Sequence, residues 1–195
     1  MRMLEVLKVC RYAFKTYKSH FACFACRKVF KKTPIEDYLK QRGDDFAYWQ
    51  LVKSIRWKNK KRKEVEERFN TTLEKIKTEY FEEISICPDC GGRMANMGLD
   101  FRAPKKTDIQ AWQAVKGLFV TGRSFLTCGC DGPGFIPANR SEYKACLKEM
   151  LSQYKETLQS WKKYNKEYKV ENRIEAVEYW NNRIEMIENE LAKII

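Results

Sequence analysis

Residues 20–30 read HFACFACRKVF, and residues 84–94 read ISICPDCGGRM. Each stretch holds two cysteines separated by two residues, and such a turn points both sulfurs to the same side of the chain. Two of these turns supply four soft ligands, which is the closed tetrahedral shell of a structural zinc site. The predicted ligands of one structural Zn²⁺ ion are Cys23, Cys26, Cys87 and Cys90.

The residues around each cysteine pair predict two β-hairpins. Apolar or β-prone residues flank both pairs, as Phe21 and Phe30 do in the first stretch. In the second turn Pro88 fixes one φ angle, and the following glycines, Gly91 and Gly92, accept a positive φ that lets backbone N–H groups point at the sulfurs. Two hairpins that share one ion are typical of a zinc ribbon.

A disulfide interpretation of these cysteines fits the start of the chain poorly. The apolar residues within 4–9 are interrupted by Glu5 and Lys8, and no small-residue cleavage site follows, so we predict no signal peptide. A chain that stays in a reducing compartment more often uses paired C-x2-C turns to bind metal. The predicted location is therefore the cytoplasm.

The segment between the two pairs predicts a helical insertion. Thr33-Pro34-Ile35-Glu36 has the pattern of a capped helix start, and that helix is expected to end near Gly43. A longer helical region follows from Asp44, with a break at 70–72 if Glu74 supports a new cap. Metal binding would then close a long loop.

The chain after the second pair predicts a strand and three further helices. The strand is expected at 97–102, and the helices are expected to begin at the cap signals Thr107-Asp108, Ser141 and Asn172. The last helix repeats apolar residues at alternating spacings of three and four, which is a heptad seam. The seam residues are Val177, Trp180, Ile184, Ile187, Leu191 and Ile194.

Together these patterns predict an α+β protein. We expect a zinc-ribbon domain with four cysteine ligands at 1–140, a long helical insertion between the two knuckles at about 34–83, and a C-terminal helical hairpin at 141–195. No run approaches the roughly 18 apolar residues of a membrane span, so a membrane is not among the predicted partners.

The formal charge of +12 is concentrated near the first cysteine pair, because residues 1–63 carry 18 Lys and Arg against 5 Asp and Glu. Residues 53–63 read KSIRWKNKKRK, which predicts a basic helix whose aromatic residue can stack on a base. The alternative is a solvated helix with Trp57 packed inward. The candidate nucleic-acid contacts are Lys53, Arg56, Trp57, Lys58, Lys60, Lys61, Arg62, Lys63, Arg27, Lys28, Lys31, Lys32, Lys105 and Lys106.

Catalytic signals are weak. A shell of four thiolates leaves no open coordination position, and the single histidine, His20, limits acid–base chemistry. Cys128 and Cys130 with His20 could form a second metal site with an open position. Because a C-x-C pair alone is a weak signal, we favour the alternative that the two cysteines are small buried residues in a turn, or that one substitutes for a ligand of the first site. Cys10 and Cys146 lie at apolar helical positions and are expected in the core. We therefore expect that the protein is not an enzyme.

Four motifs carry a resemblance to small, uncharacterised bacterial zinc-ribbon proteins. They are HFACFACRKVF, CPDCGGRM, FRAPKKTD with the following Trp112, and CGCDGPGFIP. Similar proteins join the two knuckles by a shorter segment, so the basic insertion and the long helical tail are departures from the pattern. The resemblance implies that the four paired cysteines are zinc ligands, and it implies no established activity.

The leading functional hypothesis is a non-catalytic protein that binds nucleic acid through the basic helix, with RNA or a ribonucleoprotein ahead of duplex DNA. One alternative is a protein–protein adaptor or self-associating protein that uses the heptad face at 177–194. Another is a metal-dependent enzyme that uses Cys128 and Cys130.

Overall fold

The computed structural model describes residues 18–55, 59–99, 101–123, 125, 136–163 and 170–194. These residues form an α+β fold that divides into two compact units, one up to Phe101 and one from Arg102. None of the helices they form is both long and apolar enough to cross a membrane. In chain order the elements are β1 (Ser19–Cys23), β2 (Lys28–Lys32), α1 (Ile35–Arg42), α2 (Asp45–Ser54), α3 (Asn59–Phe69), α4 (Leu73–Ile84), β3 (Ala95–Gly98), α5 (Ile109–Val120), α6 (Arg140–Lys163) and α7 (Val170–Ala192).

The sheet of the first unit is antiparallel and has the strand order β2-β1-β3. The predicted first hairpin is confirmed, since β1 and β2 pair around the first cysteine turn, with Cys23 opposite Lys28. The third strand lies at 95–98 and not at the predicted 97–102. It begins early because Ala95 and Asn96 pair with β1, and this register is fixed by a distant part of the chain.

The predicted insertion helix after the first hairpin is confirmed as α1, and it ends at Gly43, whose φ of 78° is left-handed. The predicted role of Thr33 as its cap is wrong. The helix cap is Pro34, with no side-chain hydrogen bond, while the carbonyl oxygen of Thr33 accepts a hydrogen bond from the Tyr80 hydroxyl at 2.7 Å. The chain entering α1 is therefore held by α4.

The prediction of one basic helix over 53–63 is wrong. The helix α2 ends at Ser54 and α3 begins at Asn59. The rings of Phe46 and Phe69 are 6.0 Å apart, whereas that sequence separation would span about 35 Å in one straight helix. The chain therefore reverses direction, and α2 and α3 form an antiparallel pair whose tip is marked by Lys53 of α2 and Lys63 of α3.

The helix α4 begins after the break that the sequence suggested at 70–72. Asn70 has a positive φ of 48°, and the Thr72 hydroxyl caps the new helix by accepting the Lys75 N–H at 3.1 Å. This helix carries Tyr80 and Ile84 into the core beside the cysteines. A second core cluster joins α1, α2 and α4, and it contains Leu39, Tyr48, Leu51, Leu73 and Ile76.

In the second unit α6 and α7 pack side by side in opposite directions, as a helical hairpin. The Tyr143 hydroxyl donates to Glu190 at 2.8 Å near one end, and the rings of Tyr154 and Trp180 are 4.9 Å apart further along. Ile184 on the predicted heptad face is buried in this packing. Ile187 and Ile194 of the same seam are also buried, and pairing of this face with another chain stays a prediction.

One predicted helix start in the second unit differs in the structure. The helix α5 is capped by Asp108, whose side chain accepts the Ala111 N–H, and it lies in the same compact unit as α6 and α7. The predicted boundary between two domains at residue 140 stays a prediction. The helix α7 begins at Val170, two residues before the cap predicted at Asn172.

The start of α6 also differs from the sequence prediction, because Asn139 and not Ser141 caps it. The Asn139 Oδ1 atom accepts the Glu142 N–H at 2.9 Å, and the Glu142 carboxylate accepts the Ala138 N–H in return. We expect Asn139→Ala to lower the free energy of unfolding by about 1 kcal/mol. Chemical denaturation checks this, with Ser141→Ala as a control that should change nothing. The opposite order of effects would contradict the observed cap.

Candidate metal centre

The sheet brings the two cysteine turns together. The strand β1 ends at Cys23, the first residue of the first turn, and β3 follows the second turn and pairs with β1 through Ala22 and Ala95. The second turn is closed by a single antiparallel bridge between Ile86 and Arg93. Because β1 is paired on both sides, the positions of both turns are set by one strand.

The four sulfurs form a compact cluster. All four lie within 4.8 Å of one another, with the Cys23 and Cys90 sulfurs 3.6 Å apart and the Cys26 and Cys87 sulfurs 3.9 Å apart. A tetrahedral ion with metal–sulfur bonds of about 2.3 Å separates its sulfurs by about 3.8 Å. A disulfide would require about 2.05 Å. The spacing fits four ligands of one ion, so the cluster could hold a metal ion.

Backbone N–H groups point at the sulfurs in both turns. The Cys26 N–H donates to the Cys23 sulfur at 3.4 Å. Burial works to raise the pKa of Cys87, but hydrogen bonds from the N–H groups of Asp89 and Cys90 outweigh it and lower that pKa to about 7. These bonds stabilise a thiolate, which is the form that binds metal.

The pKa values of Cys23 and Cys26 are raised, so these two thiols resist ionisation. The hydrogen bond with Cys90, followed by burial, raises the pKa of Cys26 to about 12. Burial is the main cause that raises the pKa of Cys23. One thiolate can exist among neutral thiols, but four thiolates at this distance need a positive charge between them. A divalent cation bound among the four sulfurs would supply that charge.

The two turns share one backbone conformation after the second cysteine. Arg27 follows Cys26 with a φ of 52°, and Gly91 follows Cys90 with a φ of 70°. The Gly91 N–H donates to the Cys87 carbonyl at 2.9 Å, which closes the turn. Glycine adopts this left-handed conformation without the steric cost that a β-carbon brings.

We expect Gly91→Ala to lower the free energy of unfolding by about 1 kcal/mol, because a β-carbon there meets no atom within 4 Å and only the backbone conformation is penalised. Gly91→Asn should cost less, since asparagine tolerates a positive φ. Chemical denaturation of the metal-loaded protein gives the comparison. If the alanine variant matched the parent, the turn would not have this conformation.

The cluster is buried on one side only. Cys23 and Cys87 are buried against Phe21, Tyr80 and Ile84, whereas Cys90 is exposed. On the exposed side, Lys28 of β2 forms an ion pair with Asp89 of the second turn, which ties the two turns together a second time. Four sulfur ligands would complete the tetrahedral shell of a bound ion and leave it no position for a reacting water molecule.

The sequence assigned the remaining cysteines and His20 to a second metal site or to the core, and the structure describes only some of these residues. Cys128, Cys130 and Cys10 lie outside the described residues, so the second site stays a prediction. His20 is half-buried in β1, and its Nδ1 atom is 3.3 Å from the Gly98 carbonyl oxygen. Cys146 is confirmed as a core residue of α6, and burial raises the pKa of its thiol although Arg123 donates to the sulfur.

Several predicted nucleic-acid contacts already have partners in the chain. Arg62 is within 2.8 Å of Glu66 and 3.1 Å of Glu74, Lys28 pairs with Asp89, and Lys32 reaches the Ile86 carbonyl oxygen at 3.4 Å. Five other predicted lysines are exposed: Lys31, Lys53, Lys63, Lys105 and Lys106. Arg27 forms the left-handed position in the first turn, as described above. Arg56, Trp57, Lys58 and the side chains of Lys60 and Lys61 lie outside the described residues.

Sequence reasoning missed an acidic groove between α1, α2 and α4. It encloses about 650 Å³, and Tyr38, Leu39, Phe69, Ile76 and Tyr80 line it together with the carboxylates of Asp44, Glu79, Glu82 and Glu83. Arg42 also lines it and pairs with Glu83 at 3.2 Å while stacking on Tyr38. Its residues are far apart in the sequence, so no local motif could have indicated it.

No family model, curated protein or solved structure matches this chain.

Proposed function

We propose that the four cysteines hold a structural zinc ion and that the protein binds nucleic acid, without catalysis, beside the resulting zinc ribbon. The sulfur cluster carries the first part of the proposal, because four thiolates at tetrahedral spacing suit zinc better than harder cations. When bound, zinc supplies positive charge and a cross-link. The chain's own turns orient the sulfurs.

The distribution of charge supports nucleic acid as the partner. Lys53 lies in the last turn of α2, and the basic run 53–63 continues through the connection into the start of α3. Exposed Lys31 lies on β2 of the same compact unit. Such a cluster attracts phosphates, and the affinity then comes from the release of counterions.

The ion pairs of the folded chain reduce the number of residues that we assign to the contact with nucleic acid. Arg62 and Lys28 neutralise carboxylates of their own chain, so they contribute less charge than the sequence suggests. The tip of the α2–α3 pair, and not one long basic helix, is the proposed contact. RNA or a ribonucleoprotein remains the favoured target, in the cytoplasm.

This proposal is tested by fluorescence anisotropy with fluorescein-labelled RNA and DNA of about 15 nucleotides at several salt concentrations. We expect binding at about 50 mM salt, with the logarithm of the affinity falling linearly as the logarithm of the salt concentration rises. An absence of binding at low salt, or binding that ignores salt, would remove nucleic acid as the partner.

The adaptor alternative gains no support from the helical hairpin. The heptad residues Ile184 and Ile187 are buried within the chain, so a partner could reach them only if the helical packing opened. We therefore place this function second.

A further inference from the structure

The outward face of α2 presents two large aromatic side chains to solvent. Phe46 is 59% exposed and Trp49 is 44% exposed, and they lie three residues apart on one side of the helix. Lys53 is exposed on the same side, one turn beyond Trp49. The opposite side carries the buried residues Tyr48 and Leu51.

Neighbouring side chains hold these rings in place without covering them. The Tyr48 ring contacts the edge of Trp49 at 5.4 Å between centroids, and Phe69 of α3 contacts Phe46 at 6.0 Å. The Arg68 guanidinium lies over Phe69 at 5.4 Å. Rings fixed in this way lose little conformational freedom when a flat ligand stacks on them.

Charge differs between the two ends of the α2–α3 pair. At the Phe46 end, Phe69 lines the acidic groove together with Asp44 and Glu79. The other end carries the exposed side chain of Lys53 and the start of the basic run. An anionic ligand on the aromatic face is therefore repelled at one end and attracted at the other, and a cationic peptide would have the opposite preference.

We propose that Trp49 and Phe46 form a stacking surface for bases of a single-stranded nucleic acid whose phosphates continue toward Lys53. The inference rests on the proposed function and deepens it, because it names the stacking residues and the single-stranded form of the ligand. Two residues three apart in a helix are separated by a rise of about 4.5 Å along its axis, which is a suitable spacing for neighbouring unpaired bases. A duplex keeps its base faces stacked on one another, so it cannot use this surface.

The test compares the full chain with its Trp49→Ala variant, using a fluorescein-labelled oligouridylate of about 15 nucleotides and an RNA duplex of equal length. The variant should bind the single strand about tenfold or more weakly, because stacking on an aromatic ring contributes strongly for each base. Its salt slope should stay unchanged, since no phosphate contact is lost. Trp49→Phe should retain most of the affinity.

Two matched controls separate stacking from other effects. Phe81 is 43% exposed on α4, and Phe81→Ala should leave binding unchanged. Replacing Glu79 and Glu82 by glutamine should tighten single-strand binding, because repulsion from the groove falls. Thermal unfolding should be the same for all variants.

The outcomes distinguish this inference from the proposed function. If wild type binds with steep salt dependence and Trp49→Ala binds equally tightly, the stacking surface is overturned and the function stands. Weaker single-strand binding by the variant with glutamine at positions 79 and 82 would also overturn the stacking surface. If wild type binds neither RNA, the proposed function fails together with the inference.

Discussion

Replacing Cys87 by serine is expected to abolish tight metal binding and to unfold the three-stranded sheet. The Cys87 sulfur is 3.9 Å from that of Cys26, 61 residues away in the sequence, so a metal ion between them closes a long loop. The chain-entropy estimate for a cross-link of that span is about 4 kcal/mol. Domains of this size are stable by only about 5–15 kcal/mol, so loss of the ion removes a large share.

Zinc content and circular dichroism of the purified variant measure this effect, and a strong chelator added to wild type should reproduce it. Cys146→Ser is the matched control, because Cys146 is also a buried free cysteine but lies in α6, outside the cluster. We expect the control to keep one zinc ion per chain. A Cys87→Ser protein with unaltered stability would show that the sheet does not depend on the metal.

The second large effect is expected from removing charge at the tip of the α2–α3 pair. Changing Lys53, Lys60, Lys61 and Lys63 to glutamine should weaken binding to single-stranded RNA by about 10²- to 10³-fold at about 0.1 M salt, because each lost phosphate contact reduces counterion release. The salt slope should become shallower by about 0.7 for each contact that is lost. Anisotropy titrations at several salt concentrations give both quantities.

An equal change of net charge elsewhere provides the control. Lys144, Lys148, Lys162 and Lys163 are exposed on α6, and their replacement by glutamine should weaken binding only slightly. Equal losses for the two sets would mean that general positive charge, and not the tip, attracts the nucleic acid.

Short sequence patterns predicted the structural features that depend on residues close together in the chain. The spacing of cysteines in each turn predicted the cluster of four sulfurs, and Gly43 marked the end of α1 because a left-handed position favours glycine. The break before α4 was also visible, since Thr72 and Glu74 have the residue types of a capped start.

Features that depend on distant residues could not be predicted in this way. Apolar spacing continues across α2 and α3, so periodicity alone does not reveal that the chain reverses and brings Phe46 to Phe69. The register of β3 is set by pairing with β1, and the acidic groove is lined by residues of α1, α2, α3 and α4. Ion pairs such as that of Arg62 with Glu74 form only in the folded chain. The sequence alone therefore does not show which basic side chains are already neutralised.

The central claim is that four sulfurs from two distant turns share one zinc ion. X-ray absorption at the zinc edge of protein purified without added metal tests it most directly. We predict one zinc ion per chain with four sulfur neighbours at about 2.3 Å. A shell that contains nitrogen or oxygen in place of any of the four sulfurs, or a chain without bound zinc, would contradict the account.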